Sequence, residues 1–205
     1  LVPQDPEGLI ELLGGDEEFN KKLDELFSMS SELGEEASMD ITGLIGQYAH
    51  GNEPSHHTTY MYAYSGEHYK IADKVRYINN ELYSDQPDGL SGNEDCGQMS
   101  AWYILSSMGF YPVNPSNGAY VFGSPLFDEV VLDIPGQKQF KISAKNNSDK
   151  NIYIQSVSLN GKDHKYSYIT HKEILKGGEL EFIMGAKPNK NFGKEKKYRP
   201  ESIVY

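Results

Sequence analysis

The sequence has one cysteine, one tryptophan and no long hydrophobic run. A single cysteine, Cys96, excludes an internal disulfide but does not fix the redox compartment. No apolar run approaches the roughly 18 residues of a membrane-spanning helix, so we predict no membrane span in this chain. A signal-peptide pattern is also missing, because Asp5, Glu7 and Glu11 stand where a basic region and an apolar core are needed. Since the chain begins at Leu1 without a methionine, we expect it to be the interior of a longer protein.

Basic residues are scarce as well. The chain has 19 Lys and Arg against 30 Asp and Glu, which gives a formal net charge of −11. Phosphate binding needs a clustered basic face, so this balance argues against a nucleic-acid partner. The 15 tyrosines and 20 glycines, together with many asparagines, suit a neutral, hydroxyl-rich substrate better.

The first 110 residues have helical periodicity. Asp5 and Pro6 predict the start of one helix, and Asp16 predicts the cap of a second. Further helices are predicted over residues 41–49, from Pro54 onward, over 71–82, and from 99 to a stop at Gly109. The pattern therefore predicts about five or six helices with short connections.

From Pro112 onward the pattern changes to that of strands. Strands are predicted over residues 120–122, 129–132, 140–144, 152–159, 166–170 and 179–184. Asn160-Gly161 is the strongest hairpin signal in the chain. We therefore predict an α+β multidomain chain, with helices in residues 1–115 and an antiparallel, sandwich-like β region in residues 116–205.

Two acids, an amide and two glycines lie directly before the last predicted helix. Asp95 with Gln98 three residues later is typical of a helix-capping pair, the commoner role for an acid at this position. Helix capping alone, however, does not account for Gly92-Asn93-Glu94 immediately before Asp95. Glycines let the backbone approach a ligand closely. The alternative is a set of convergent oxygen ligands that includes Asp95.

An earlier loop has the same layout, with Gly51-Asn52-Glu53 before a predicted helix. Loops at the N-termini of paired helices would converge on one pocket, and paired carboxylates across it suit glycoside hydrolysis. Side-chain oxygens also suit calcium, such as those of Asn52, Glu53, Asn93 and Glu94. For Glu53 the alternative is an acid that only starts a helix.

Four residues are candidate substrate contacts: Glu53, His56, Glu94 and Trp102. Trp102 would stack on a sugar ring, although aromatic residues at helical spacing are more often core. Zinc at His56-His57 is disfavoured, because the spacing is poor and no HExxH or CxxC pattern supports it.

At these motifs the sequence resembles a known family. Residues 51–57 and 92–103 closely resemble the two signature segments of the glycoside hydrolase family 92 α-mannosidases. Shorter stretches agree in the expected order, at residues 8–15, 109–113, 123–127 and 187–193. The resemblance covers nearly the whole chain.

The resemblance implies a calcium-dependent, inverting exo-α-mannosidase acting on mannose-containing glycans, with α-1,2 linkages as the expected substrate. Family members are mostly extracytoplasmic bacterial enzymes with an N-terminal β-sandwich and an (α/α)6 catalytic barrel. This chain would supply the last helices of that barrel and the strands that close the protein. By the resemblance, Asp95 is the general base, Asn93 orients water beside it, and Asn52 and Glu53 belong to the calcium- and sugar-binding segment.

One departure from the family pattern concerns the general acid. In the family it is a Glu just before a Val-Pro-Gln-Asp segment, and this chain begins at Leu1-Val2-Pro3-Gln4-Asp5. We therefore expect the isolated chain to be inactive and to need the upstream remainder of the same polypeptide. The alternative is a non-catalytic carbohydrate-binding or structural fragment in which Asp95 is only a cap.

Overall fold

The computed structural model describes residues 3–32 and 41–202. The α-helices are α1 (Pro6–Leu12), α2 (Asp16–Ser28), α3 (Lys70–Glu81), α4 (Gln98–Met108) and α5 (His171–Ile174). The strands are β1 (Leu44–Ile45), β2 (Tyr48–Ala49), β3 (Phe110–Tyr111), β4 (Ala119–Phe122), β5 (Glu129–Ile134), β6 (Lys138–Lys145), β7 (Tyr153–Leu159), β8 (Lys162–Asp163), β9 (Tyr168–Thr170) and β10 (Gly178–Gly185). Within these residues no helix is both long and apolar enough to cross a membrane.

Local sequence signals explain where the helices begin and end. The Asp5 carboxylate accepts a hydrogen bond from the Gly8 N–H at 3.0 Å, and Pro6 is the first residue of α1, as predicted. Helix α2 begins at Asp16 itself, one residue after its cap at Gly15. Helix α4 ends as predicted at Gly109, whose φ of 104° is the left-handed conformation that favours glycine.

Two predicted helices are wrong. Residues 41–49 form the short β1–β2 hairpin, because Gly43 and Gly46 take left-handed φ values of 62° and 60° that interrupt a helix. The segment after Pro54 forms 3₁₀ turns, Glu53–Ser55 and Thr58–Ala63, in place of an α-helix. Every residue from Thr59 to Ala63 is buried, so this segment has no exposed polar face of the kind that an amphipathic surface α-helix presents. Short 3₁₀ turns are common in such connecting segments.

The helical half is therefore less helical than predicted. It contains α1 to α4, and these helices do not close a ring among the residues that the structure describes. Their buried face is largely aromatic, with Tyr48, Tyr60, Tyr62 and Trp102 packed against Ile71, Val75 and Ile78 of α3. The (α/α)6 barrel implied by the resemblance remains a prediction about a longer protein.

The β region consists of two sheets with a shared core. One is five-stranded in the order β5-β6-β10-β7-β8, and the other is three-stranded in the order β3-β4-β9. Phe122 of the smaller sheet meets Phe182 of the larger sheet edge-on, with ring centroids 5.1 Å apart. The sandwich-like arrangement is thus confirmed. The Asn160-Gly161 turn is confirmed too, with the paired positive φ values of 52° and 74° that such hairpins require.

The prediction of a purely antiparallel region is wrong for one strand pair. Strand β10 pairs parallel with β6, Leu180 lying opposite Ile142, and antiparallel with β7. Because β10 inserts between two strands that run in opposite directions, it must be parallel to one of them. Alternation of apolar residues reports which face is buried and carries no information on strand direction.

Helix α4 joins the two halves. Trp102 near its start belongs to the helical core, Met108 at its end belongs to the core between the sheets, and Leu105 packs against both. Strands β3 and β4 pair across the predicted boundary near residues 112–118, with Phe110 opposite Phe122. The division at residues 115 and 116 stays a prediction. The position of α4 matters for function, because the loop that contains Asp95 lies at its N-terminus.

Candidate active site

The two glycine-led loops meet through their backbones. The Thr42 hydroxyl donates to the Ser91 carbonyl at 2.8 Å, which ties the β1–β2 hairpin to the second loop. A Cβ at Gly51 would collide with Thr42 and Ser91, and one at Gly92 would lie 3.4 Å from the Gly51 carbonyl oxygen. Glycine is thus required at both positions for the close approach. The two loops therefore contact each other, and their convergence on one pocket stays a prediction.

The backbone around Asp95 adopts an unusual conformation. Asp95, Cys96 and Gly97 have successive left-handed φ values of 51°, 58° and 92°, and α4 begins at the next residue. For a residue other than glycine, this conformation costs about 1–2 kcal/mol and persists only where the surroundings impose it. Such strain is concentrated at functional sites, and here it holds an exposed carboxylate at a helix start.

Glu94, one residue before Asp95, makes a capping contact with α4, while the capping role of Asp95 stays a prediction. The Glu94 carboxylate makes this contact, since its two oxygens accept from the Ser100 N–H at 3.0 Å and the Ser100 hydroxyl at 2.9 Å. An acid in this position also interacts favourably with the helix dipole. The N-cap residue of α4 is Gly97, which has no side chain to close the helix, so the Glu94 carboxylate supplies this contact.

A buried hydrogen-bond network lies beneath the loops. Tyr83 donates to the Met99 carbonyl at 3.0 Å, so its oxygen accepts from His50 Nε2 at 2.7 Å. His50 Nδ1 then accepts from the Tyr48 hydroxyl at 2.8 Å. Burial lowers the pKa of His50 to about 3, which keeps this imidazole neutral and fixes its tautomer.

His56 continues the network towards α4. Its Nε2 donates to the His50 carbonyl at 2.9 Å, so Nδ1 is the acceptor for the Gln98 amide at 3.1 Å. The same amide nitrogen donates to the Tyr111 hydroxyl at 3.0 Å. Burial lowers the pKa of His56, and the negative charge of Asp95 opposes that shift, which places the carboxylate within electrostatic reach of the ring. Gln98 therefore connects the first loop to the start of α4.

Two predicted substrate contacts lie in the interior. Trp102 is fully buried and donates its indole N–H to the His56 carbonyl at 3.1 Å, so no ring face is open to a sugar. His56 is 1% exposed, with both ring nitrogens engaged by protein groups. Both predictions are corrected: these side chains support the loops from below. For Trp102, its aromatic character at helical spacing was the signal for this core role, whereas no signal in the sequence indicated it for His56.

The exposed polar side chains of the two loops are Asn52, Glu53, Asn93 and Asp95. Beside the first loop lies a cavity of about 330 Å³ whose lining includes Glu53, His57, Gln98 and Tyr111. Glu94, the remaining candidate, is half-buried and engaged by Ser100. The sequence reasoning missed the roles of His50, Tyr83 and Tyr111, because no local pattern reveals a network between distant elements.

The fit of these residues to calcium is partial. Amide and carboxylate oxygens such as those of Asn52 and Glu53 are ligands that Ca²⁺ prefers, but the ion takes about six to eight oxygens. Within residues 3–32 and 41–202, no three His, Cys, Asp or Glu side chains come together as a metal site. The described residues thus have suitable donor chemistry without a complete coordination sphere.

Comparison with known proteins identifies the class. The model of the glycosyl hydrolase family 92 catalytic domain matches residues 1–186. A family GH92 α-mannosidase of Bacteroides thetaiotaomicron is 42% identical, with a TM-score of 0.90 over 100% of this chain and 26% of its own. The same enzyme has been solved in complex with mannoimidazole. A family GH92 inverting mannosidase of that organism is 39% identical, with a TM-score of 0.85 over 98% of this chain and 28% of its own.

A curated relative is an uncharacterised secreted glycosidase of Arthroderma benhamiae, 31% identical over 188 residues, which are 90% of this chain and 22% of that protein. The fold and the loop motifs are thus those of a glycosidase catalytic domain. The chain belongs to glycosyl hydrolase family 92. It spans about a quarter of the length of the solved relatives.

Proposed function

We propose that this chain is part of an inverting exo-α-mannosidase and supplies the general-base side of its active site. The observation that carries the proposal is Asp95, an exposed carboxylate on a left-handed turn where the two family motifs meet. Left-handed residues other than glycine are strained, and such strain is concentrated at functional sites, which supports a catalytic role for Asp95.

In this mechanism Asp95 removes a proton from water as the water oxygen attacks the anomeric carbon of mannose. The glycosidic C–O bond breaks on the opposite face, and the leaving oxygen takes its proton from a general acid outside this chain. Inversion requires the two carboxyl groups to be roughly 6.5–9.5 Å apart, with room for the water between them. Asn93 is exposed two residues away and orients that water, because an amide can hold it but cannot accept its proton.

The surrounding side chains would bind the terminal mannose. We assign Glu53 to sugar hydroxyls at the edge of the cavity that it lines, and Glu94 to the α4 cap with only an indirect contribution to binding. Asn52 and Glu53 would give part of the ligand set for Ca²⁺, completed by residues beyond those described. When bound, the ion supplies a positive charge for sugar hydroxyl oxygens.

The substrate is a terminal α-mannoside of a mannose-containing glycan, with the α-1,2 linkage as our specific proposal. The names of the solved relatives, an α-mannosidase 42% identical and an inverting mannosidase 39% identical to this chain, support the mannoside. The linkage rests on the resemblance of the two signature segments. The secreted nature of the curated relative supports an extracytoplasmic location. Because the general acid is expected elsewhere in the polypeptide, we propose that the isolated 205 residues have no activity.

The test is Asp95→Asn in the complete polypeptide, with Asp88→Asn as matched control. Asp88 is also exposed but lies in the turn after α3, outside both loops. Loss of a general base should lower kcat by about 10²–10⁴-fold, while the control should keep wild-type turnover. If Asp95→Asn also turns over at the wild-type rate, the base assignment fails and a binding role without catalysis takes its place.

A further inference from the structure

Gln98 joins the Asp95 turn to α4. It is the first residue of the helix and follows the three left-handed residues that begin at Asp95. Its N–H donates to the Asp95 carbonyl at 3.2 Å, and the next N–H, that of Met99, donates to the Glu94 carbonyl at 3.2 Å. The backbone of the turn is therefore bonded to the first residues of α4, so a movement of Gln98 would move the Asp95 peptide.

The Gln98 side chain is held at two points, His56 and Tyr111. Its Nε2 donates to His56 Nδ1 at 3.1 Å and to the Tyr111 hydroxyl at 3.0 Å. The orientation of the amide is fixed, because His56 Nε2 must donate to the His50 carbonyl and Nδ1 is then an acceptor. Glutamine supplies the N–H groups for both bonds without a charge, whereas a carboxylate of the same length supplies none. The two contacts thus explain the residue type at position 98.

Both of these partners are fixed in the interior. His56 is buried, and its ring stacks on that of His50 with centroids 4.7 Å apart. Tyr111 of β3 is also buried, and its ring stacks on that of Tyr60 with centroids 5.3 Å apart. The two partners come from separate elements, the first loop and β3. Because interiors are closely packed, neither ring can move without displacing its neighbours.

We propose that Gln98 is a positioning residue, which holds the Asp95 carboxylate in place through the backbone of the turn and is itself held by His56 and Tyr111. This inference rests on the proposed function, in which Asp95 is the general base. A misplacement of about 1 Å can lower the rate of an oriented reaction by about 10²-fold, so an exposed turn that carries the base needs a firm attachment. Because Gln98 acts through Asp95, its removal should lower kcat and leave KM unchanged.

The test is Gln98→Met in the complete polypeptide. Methionine has a similar helix propensity but no N–H, so it removes both side-chain bonds and keeps α4. We expect kcat to fall by about 10–100-fold with KM unchanged. Tyr111→Phe removes one of the two contacts and should give a smaller loss of kcat. Tyr120→Phe is the matched control, because that hydroxyl lies 3.3 Å from His171 Nδ1, between β4 and α5, and wild-type turnover is expected.

The Asp95→Asn protein separates positioning from a merely structural role. If Gln98 acts through the base, Gln98→Met should cause no further loss of kcat in a protein that already carries Asp95→Asn. A defect in folding or in substrate binding would lower turnover by the same factor with and without Asp95, and that result would overturn the proposal. An unchanged kcat in Gln98→Met alone would overturn it as well.

Amide hydrogen exchange, followed by mass spectrometry, gives a readout that does not depend on turnover. Gln98→Met should speed exchange in residues 94–99, where the N–H groups of residues 98 and 99 bond to the carbonyls of the turn, while Tyr120→Phe should not. Unchanged exchange in Gln98→Met would overturn the proposal. If Asp95→Asn keeps wild-type turnover, the proposed function fails, whereas faster exchange in Gln98→Met would still support the attachment of the turn by Gln98.

Discussion

The fold should lose stability as the pH falls below neutrality, because buried histidines are held neutral in its interior, His50 and His68 most completely. His50 is fully buried and His68 is 4% exposed. Burial lowers the pKa of His50 from 6.5 to about 3 and that of His68 to about 4. His68 is tied to the β region, since its Nε2 donates to the Phe122 carbonyl at 2.9 Å.

The sign and size of the effect follow from proton counting. Between the unfolded value of 6.5 and the folded values of about 3 and about 4, only the unfolded chain binds these two protons. The contribution of these histidines to the free energy of unfolding is therefore fully present above the unfolded pKa, and it is lost as the pH falls below that value. These two histidines alone contribute a slope of about 2.5 kcal/mol per pH unit near pH 5. Burial also lowers the pKa of His57 to about 4 and lowers that of His56, and both shifts add to the slope in the same direction.

The assay is urea unfolding of the 205-residue chain from pH 7.5 to 5.5, followed by the fluorescence of Trp102, the one tryptophan. His68→Gln keeps an N–H donor but does not titrate, so the limiting slope should fall by about 1.4 kcal/mol per pH unit. Ile78→Val is the control, because it removes only a buried methyl group and should lower stability equally at every pH. Equal slopes for the wild type and His68→Gln would refute the reasoning.

Two further predictions concern the second loop. Gly92→Ala places a side chain at a φ of 110° and against Thr42, so it should destabilise the protein by about 1–3 kcal/mol and lower kcat/KM, measured by thermal melting and mannoside hydrolysis. An unchanged melting temperature would contradict the required close approach of the loops. Glu94→Gln removes the charge that caps α4 and should lower the free energy of unfolding by about 1 kcal/mol. It should lower kcat less than Asp95→Asn does. A larger loss of kcat in Glu94→Gln than in Asp95→Asn would make Glu94 the better candidate for the base.

The sequence predicted much of the local structure because the signals are local. The Asp5 cap, the stop at Gly109 and the Asn160-Gly161 turn each depend on a few adjacent residues, and each is confirmed. Where the structure differs from the sequence prediction, contacts between residues distant in the sequence determine the local conformation. Strand β10 is parallel to β6 because of where it inserts in the sheet, and residues 44–49 form a hairpin that packs beside α2, with the Gln47 N–H donating to the Leu26 carbonyl at 2.7 Å.

The candidate site also has features that local sequence signals predict and features that they do not. The contact of the two loops could be predicted, because two similar motifs each lead into a helical segment. The contact between Glu94 and Ser100 could not, since it depends on the three left-handed residues Asp95, Cys96 and Gly97 that lie between them. The network of His50, His56 and Gln98 joins three separate segments, so no spacing in the sequence indicates it.

The most direct test of the central proposal is an NMR time course of α-1,2-mannobiose hydrolysis. It compares the complete polypeptide in calcium, the complete polypeptide in chelator, and the 205-residue chain alone in calcium. We expect β-mannose as the first product from the complete polypeptide, loss of that activity in chelator, and no release by the isolated chain. Release of mannose by the isolated chain, or α-mannose as the first product, would contradict the assignment of Asp95 as the base of an inverting enzyme whose acid lies elsewhere.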